Sequence, residues 1–136
     1  MPSSVPTPGS PEDSLRHARS DLAIARQQVS ADALHEALCF HARQAAEKSL
    51  KAVLVREGIV FPYTHDLARL VALVRSTQLA CPADLDEVTD LTPYAVQMRY
   101  PGAGAGITDA DYRSALVLAE RALAWASGII SGVPSP

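Results

Sequence analysis

The chain has 136 residues, of which 48% are hydrophobic, 5% aromatic and 20% charged, and its formal net charge is -3. This length fits one domain and is too short for two independent cores. The negative charge argues against a general affinity for nucleic acid or anionic membranes, so RNA or nucleotide binding would require a local cluster of cations. Many alanines and few aromatic residues favour an all-α fold.

The first ten residues, MPSSVPTPGS, lack the basic and apolar regions of a signal peptide, and we expect a disordered tail over 1–10. Cys39 and Cys81 do not make a disulfide framework, which favours a reducing, cytoplasmic setting. Glu120 and Arg121 interrupt the apolar run near the C-terminus, so no transmembrane span is expected.

Capping residues predict the first two helices. Ser10, followed by proline and two acids, predicts a first helix that continues to about Gln28. A second helix is predicted from about residue 30 to Glu57, where Gly58 supplies a left-handed stop. The short connection predicts an antiparallel hairpin. The apolar stripe of the first helix consists of Leu15, Ala18, Leu22, Ala25 and Val29.

The middle of the chain predicts two further helices. The segment IVFPYTHDL predicts an extended linker, after which Thr64 is placed to cap a third helix from about His65 to Thr77. A fourth helix is predicted after Pro82, with Pro93 kinking or splitting it.

Thr108 and Asp111 form a capping-box pattern that predicts the start of a fifth helix. Its expected apolar stripe consists of Tyr112, Leu116, Ala119, Leu123 and Ala126. No alternating pattern of useful length suggests a strand. The sequence therefore predicts an all-α, up-and-down bundle of four to five helices over residues 11–131, followed by a short tail over 132–136.

The stretch MRYPGAGAGIT, residues 98–108, contains three glycines between two predicted helices. It lacks the spacing of a P-loop, and no strand precedes it. Asp109 and Asp111 already occupy the positive end of the next helix, where a phosphate would otherwise bind. A flexible connector is therefore favoured over a phosphate-binding loop.

Metal and nucleophile chemistry have little support in this sequence. Among the four histidines, His35 and His41 are six residues apart, which separates them by about 120° around a helix. No metal site and no cofactor are expected from this spacing. No serine or cysteine lies in an elbow-like turn, and the neighbouring His65 and Asp66 are better explained as a helix start.

The second predicted helix contains FHARQAAEKSLKAVL, residues 40–54, in which Gln44, Lys48 and Lys51 share one face. One interpretation is a solvated face, where pairs of Glu47 with Arg43 and Lys51 contribute a few tenths of a kcal/mol each. The alanines between these residues also permit close approach of another helix. A binding site and a helix interface thus remain alternative uses of this surface.

Three blocks of the sequence together resemble the HEPN domain of prokaryotic proteins. They are FHARQAAEKSLKA at 40–52, PYTHDL at 62–67, and Tyr94 with the triplet Arg99-Tyr100-Pro101. The resemblance covers nearly all of residues 15–125. It implies a helical bundle that commonly dimerises through its long helices, and a minimal nucleotidyltransferase as partner in a toxin–antitoxin-like pair.

Many proteins of the family that this chain resembles are metal-independent ribonucleases with an Arg-x(4–6)-His motif. Here Arg99 is followed by Ala, Gly, Ala and Gly at positions 103–106, and no histidine follows His65. The general acid–base catalysis that such an imidazole supplies is worth about 10²–10⁴-fold. The sequence therefore lacks the standard ribonuclease motif.

These observations lead to the hypothesis of an HEPN-like homodimer that associates with a nucleotide or RNA and pairs with a minimal nucleotidyltransferase. Arg99 would contact phosphate and Tyr100 would stack on a base. The candidate binding residues are His41, Gln44, Lys48, Arg99 and Tyr100. Two alternatives remain open: a ribonuclease that uses Arg99 with His41 or His65, and a non-catalytic helical interaction module.

Overall fold

The computed structural model describes residues 5–27, 35–94 and 107–132. Within these ranges the chain is helical and contains no strand. The helices are α1 (Pro11–Ala25), α2 (His35–Arg56), α3 (Leu67–Arg75), a 3₁₀ helix (Leu85–Tyr94) and α4 (Asp109–Ser131). The all-α prediction is confirmed over the described part of the chain. The glycine-rich loop and the outer parts of both tails lie outside the described residues.

Local capping signals explain where α1 begins and where α2 ends. The Ser10 side chain accepts a hydrogen bond from the Asp13 backbone, and α1 begins at the next residue, Pro11. It ends at Ala25, earlier than the predicted end at Gln28. Gln28, Val29 and the predicted start of the second helix lie outside the described residues. α2 ends at Arg56, and Gly58 follows with a φ of +69°. The predicted glycine stop is confirmed.

The predicted cap of the third helix was wrong. The carboxylate of Asp66 accepts hydrogen bonds from the backbones of Ala68 and Arg69, at 3.0 and 3.4 Å, so α3 begins at Leu67. The Thr64 hydroxyl instead accepts from the Asp66 backbone at 3.0 Å, one step before the helix. Thr64 therefore binds the backbone of Asp66, and Asp66, which lies next to the helix, is the N-cap residue.

The predicted fourth α-helix is a 3₁₀ helix where the structure describes it. It runs from Leu85 to Tyr94 and contains Pro93 near its end. Leu85, Val88 and Leu91 recur every three residues and are buried, as the three-residue turn of a 3₁₀ helix requires. The remaining part of this predicted helix lies within 95–106, outside the described residues.

α2 lies at the centre of the bundle and contacts every other helix of the described residues. Alanines on α2 and α4 allow the two backbones to approach closely, and Tyr112 donates a 2.5 Å hydrogen bond from its hydroxyl to the carbonyl of Ala25. On α4, the predicted stripe is confirmed at Tyr112, Ala119 and Ala126, which are buried, whereas Leu116 and Leu123 are half-buried.

By length and composition, α4 is long and apolar enough to cross a membrane. This test is weak evidence for a span; α4 packs against α1 and α2, and 28% of its apolar window is buried. Glu120 and Arg121 alone therefore do not exclude a span, contrary to the sequence argument, although the packing of α4 is that of a bundle helix.

Candidate functional site

Two clusters of charged side chains flank α2 on opposite sides of its polar face. The Glu47 cluster comprises Arg43, Glu47 and Lys51 of α2 with His65 from the segment before α3. The Asp21 cluster comprises Asp21 of α1 with His41 and Lys48 of α2. Gln44 lies on α2 between the two.

The Glu47 cluster is built around a buried carboxylate. The side chains of Arg43 and Glu47 are 1% and 5% exposed, and the Arg43 guanidinium lies 2.8 Å from Glu47 Oε1. Lys51 Nζ lies 3.0 Å from Oε2, and His65 Nδ1 is 3.0 Å from both oxygens. Arg43 also donates a hydrogen bond to the His65 carbonyl. This network fixes the segment before α3 against α2.

Glu47 is ionised inside this cluster for a definite physical reason. Burial alone would raise the pKa of Glu47, but hydrogen bonds from Lys51 and His65, the positive charge of Lys51 and the bond from Arg43 together lower it. The interpretation of Arg43 and Glu47 as a weak pair on a solvated face was therefore wrong. The residues before α3 cover this side of α2 and exclude water from the ion pair.

In the Asp21 cluster, one carboxylate binds two side chains of α2. Asp21 Oδ1 lies 2.8 Å from His41 Nδ1, and Oδ2 lies 2.5 Å from Lys48 Nζ. The Asp21 side chain is only 11% exposed, whereas His41 and Lys48 remain partly exposed. When His41 is neutral, this contact favours the tautomer with its proton on Nδ1, which leaves Nε2 as the accepting nitrogen.

The predicted site residues are thus partly brought together. His41 and Lys48 meet at Asp21, while the Gln44 side-chain oxygen accepts a 3.3 Å hydrogen bond from Arg43 of the other cluster. Arg99 and Tyr100 lie outside the described residues. The Glu47 carboxylate accepts hydrogen bonds from Arg43, Lys51 and His65.

Sequence reasoning missed Asp21, although a signal for it exists. Asp21 follows Ala18 by three residues and precedes Ala25 by four, so helical spacing places it beside the buried stripe of α1. A carboxylate at such a position requires a partner. The hairpin register supplies His41 and Lys48, which the sequence of α1 alone does not reveal.

The described part of the chain offers little support for metal or thiol chemistry. There, no group of three or more His, Cys, Asp or Glu side chains could hold a metal ion. Cys39 is buried, and desolvation raises the pKa of its thiol to about 12, which keeps the nucleophilic thiolate from forming near neutral pH.

A family model described as the HEPN domain matches residues 11–129. The chain belongs to the HEPN family. The crystal structure of an archaeal HEPN homologue is 28% identical to this chain, with a TM-score of 0.70, and the match covers 89% of this chain and 98% of the homologue. No curated protein matches the chain. The predicted family and its helical bundle are confirmed, whereas RNA or nucleotide binding and the nucleotidyltransferase partner stay predictions.

Proposed function

We propose that this HEPN protein binds a nucleotide or RNA through the partly exposed face of α2, together with Arg99 and Tyr100, without cleaving it. The observation that carries this proposal is the buried Asp21, which holds His41 and Lys48 in fixed positions at the edge of that face. Side chains that are already ordered lose less conformational freedom when a ligand binds.

The chemistry of this face suits a phosphate and a base edge. The Lys48 ammonium has three N–H donors, of which Asp21 uses one. The Gln44 oxygen accepts from Arg43, which leaves its amide N–H groups to donate to a ligand. Because the Asp21 carboxylate offsets the charge of Lys48, the proposal assigns the main contact with the phosphate to Arg99.

Removing His41, Lys48 or Arg99 is expected to weaken binding of short RNA or nucleotides. A lost hydrogen bond to a charged group corresponds to roughly 10–100-fold in affinity. Isothermal titration calorimetry would compare wild type with His41→Ala, Lys48→Ala and Arg99→Ala. Arg113→Ala is the matched control, because it removes a cation from exposed α4. No heat for wild type, or equal affinity in all variants, would contradict the proposal.

A ribonuclease is the second candidate, and the contact of Asp21 with His41 favours it. A carboxylate that orients one imidazole nitrogen prepares the other for proton transfer. His65 is oriented in a similar way by Glu47 and is more exposed. Metal-free incubation with a mixed RNA pool tests this candidate: cleavage that is lost in both His41→Ala and Arg99→Ala supports it, and no cleavage above background rejects it.

The proposal includes assembly as a cytoplasmic homodimer that pairs with a minimal nucleotidyltransferase in a toxin–antitoxin-like system. Family membership supports it, as does an apolar surface on α4, where Val117 is exposed beside a shallow groove against α1. Arg26, Glu120 and Arg121 line this groove with charges of both signs. Such a surface can pair with its own copy across a twofold axis.

Light scattering is expected to give about twice the 14.4 kDa mass of one chain, and a larger mass after addition of the nucleotidyltransferase. Val117→Glu should shift the protein to the monomer, because a charge would be buried at the twofold contact. Val60→Glu, at an exposed valine outside α4, is the control and should leave the dimer intact. A monomeric wild type at micromolar concentration would overturn the dimer.

A further inference from the structure

The segment between α2 and α3 presents an aromatic ring to solvent next to the Glu47 cluster. Tyr63 is 90% exposed and Val60 is 94% exposed. Lys51 Nζ lies 5.7 Å from the centre of the Tyr63 ring, and the His65 ring meets it edge-on with centroids 5.4 Å apart. Most of the ring surface is therefore available to a ligand.

Tyr63 lies on a connecting segment, but the backbone close to it is held against α2. Two residues later, His65 is bound to α2 twice: its ring contacts Glu47, and its carbonyl accepts from Arg43. Both of these partners are buried. The buried network thus holds the backbone two residues from Tyr63, which restricts where the ring can lie before a flat ligand binds.

Charge at this site favours an anionic ligand. Arg43 and Lys51 carry two positive charges against the one negative charge of Glu47, which leaves these three side chains with one excess positive charge, and Lys51 is the cation that lies near the ring. The Lys51 ammonium gives one of its three donors to Glu47 and retains others. An aromatic ring next to a cation is the arrangement that binds a base and its adjoining phosphate.

The Tyr63 site continues the face of α2 described above. Lys51 follows Lys48 by three residues and Gln44 by seven, which places all three along one side of the helix. From His41 to Lys51 this side extends about 15 Å at 1.5 Å per residue. That length accommodates more than one nucleotide, which favours a strand over a mononucleotide.

We propose that Tyr63 stacks on a base of single-stranded RNA while Lys51 contacts the adjoining phosphate, so that the strand runs along α2 from Tyr63 towards His41. This inference rests on the proposed RNA association and adds a second contact region to it. The chemistry that the site recognises, a base with its phosphate, is shared by free nucleotides, so the experiment includes both kinds of ligand.

The test uses the full chain with a fluorescein-labelled RNA decamer of mixed sequence, followed by fluorescence anisotropy, and with adenosine monophosphate, followed by calorimetry. Tyr63→Ala is expected to weaken decamer binding about fivefold to a hundredfold, the usual loss for one stacked base. Tyr63→Phe keeps the ring and should bind like wild type. Val60→Ala, in the same segment and equally exposed, is the matched control and should also bind like wild type.

Each outcome separates this inference from the proposed function. If Tyr63→Ala binds the decamer like wild type while His41→Ala binds it more weakly, the stacking site is wrong and the proposed function stands. If wild type binds neither ligand, both are wrong. If Tyr63→Ala weakens the binding of adenosine monophosphate as much as that of the decamer, the site binds a free nucleotide. That result would overturn the proposal that an RNA strand runs along α2.

Discussion

Glu47→Ala is expected to lower the free energy of unfolding by about 3–5 kcal/mol, because it leaves the Arg43 guanidinium buried without its carboxylate. The Arg43 side chain is 1% exposed and cannot reach water without moving the helix around it. Lys51 and His65 lose the same partner. Urea denaturation followed by circular dichroism would measure the change.

The chain offers a matched control for this substitution on α4. Arg113 and Asp109 form an ion pair of the same i, i+4 spacing, with a distance of 2.7 Å, but the Arg113 side chain is 77% exposed. Arg113→Ala is expected to cost only about 0–1 kcal/mol, because water solvates the remaining carboxylate. If Glu47→Ala and Arg113→Ala lowered the free energy of unfolding equally, burial of the ion pair would not determine the size of the loss.

The Glu47 cluster also connects stability with the proposed binding surface. A buried ion pair is often no more stabilising than apolar residues of the same volume, so its presence needs a reason beyond stability. Here the same side chains fix the backbone at His65 and hence the segment that carries Tyr63. We infer that the network mainly sets the position of that segment, at a modest net gain in stability.

Those parts of the fold that depend on short-range chemistry could be predicted from the sequence. The serine before Pro11, the glycine after α2 and the capping box of Thr108 and Asp111 each satisfy backbone groups within three residues. The start of α3 was missed because Thr64 and Asp66 are both good caps. Which of them lies next to the helix depends on how the preceding segment folds onto α2.

The charged clusters could not be predicted in the same way. An Arg and a Glu four residues apart look alike in sequence whether the pair is solvated or buried, and only the segment before α3, which covers Arg43 and Glu47, decides between these cases. Likewise, the contact between Asp21 and His41 joins two helices, so its existence depends on the register of the hairpin. Family resemblance supplied the bundle but not these contacts.

Acidification is expected to remove the stabilisation that ionised Glu47 provides. Burial opposes ionisation, but hydrogen bonds from Lys51 and His65 bring the pKa of Glu47 below its usual 4.5. A carboxyl group whose pKa is lower in the folded state stabilises the protein fully above the unfolded value and loses this effect as pH falls through the folded value. The free energy of unfolding should therefore decline from about pH 5 downwards.

Comparison with Glu47→Gln isolates this contribution from those of other carboxyl groups. Asp13 and Asp111 also have lowered pKa values, through hydrogen bonds from Arg16 and from the Thr108 backbone respectively, but they titrate in both proteins and cancel in the difference. Wild type should exceed the variant in stability above about pH 5, and the gap should narrow as the pH falls below that value and Glu47 takes up its proton. A gap that stays constant over this range in urea denaturation would mean that Glu47 stabilises the fold through its shape and hydrogen bonds rather than its charge.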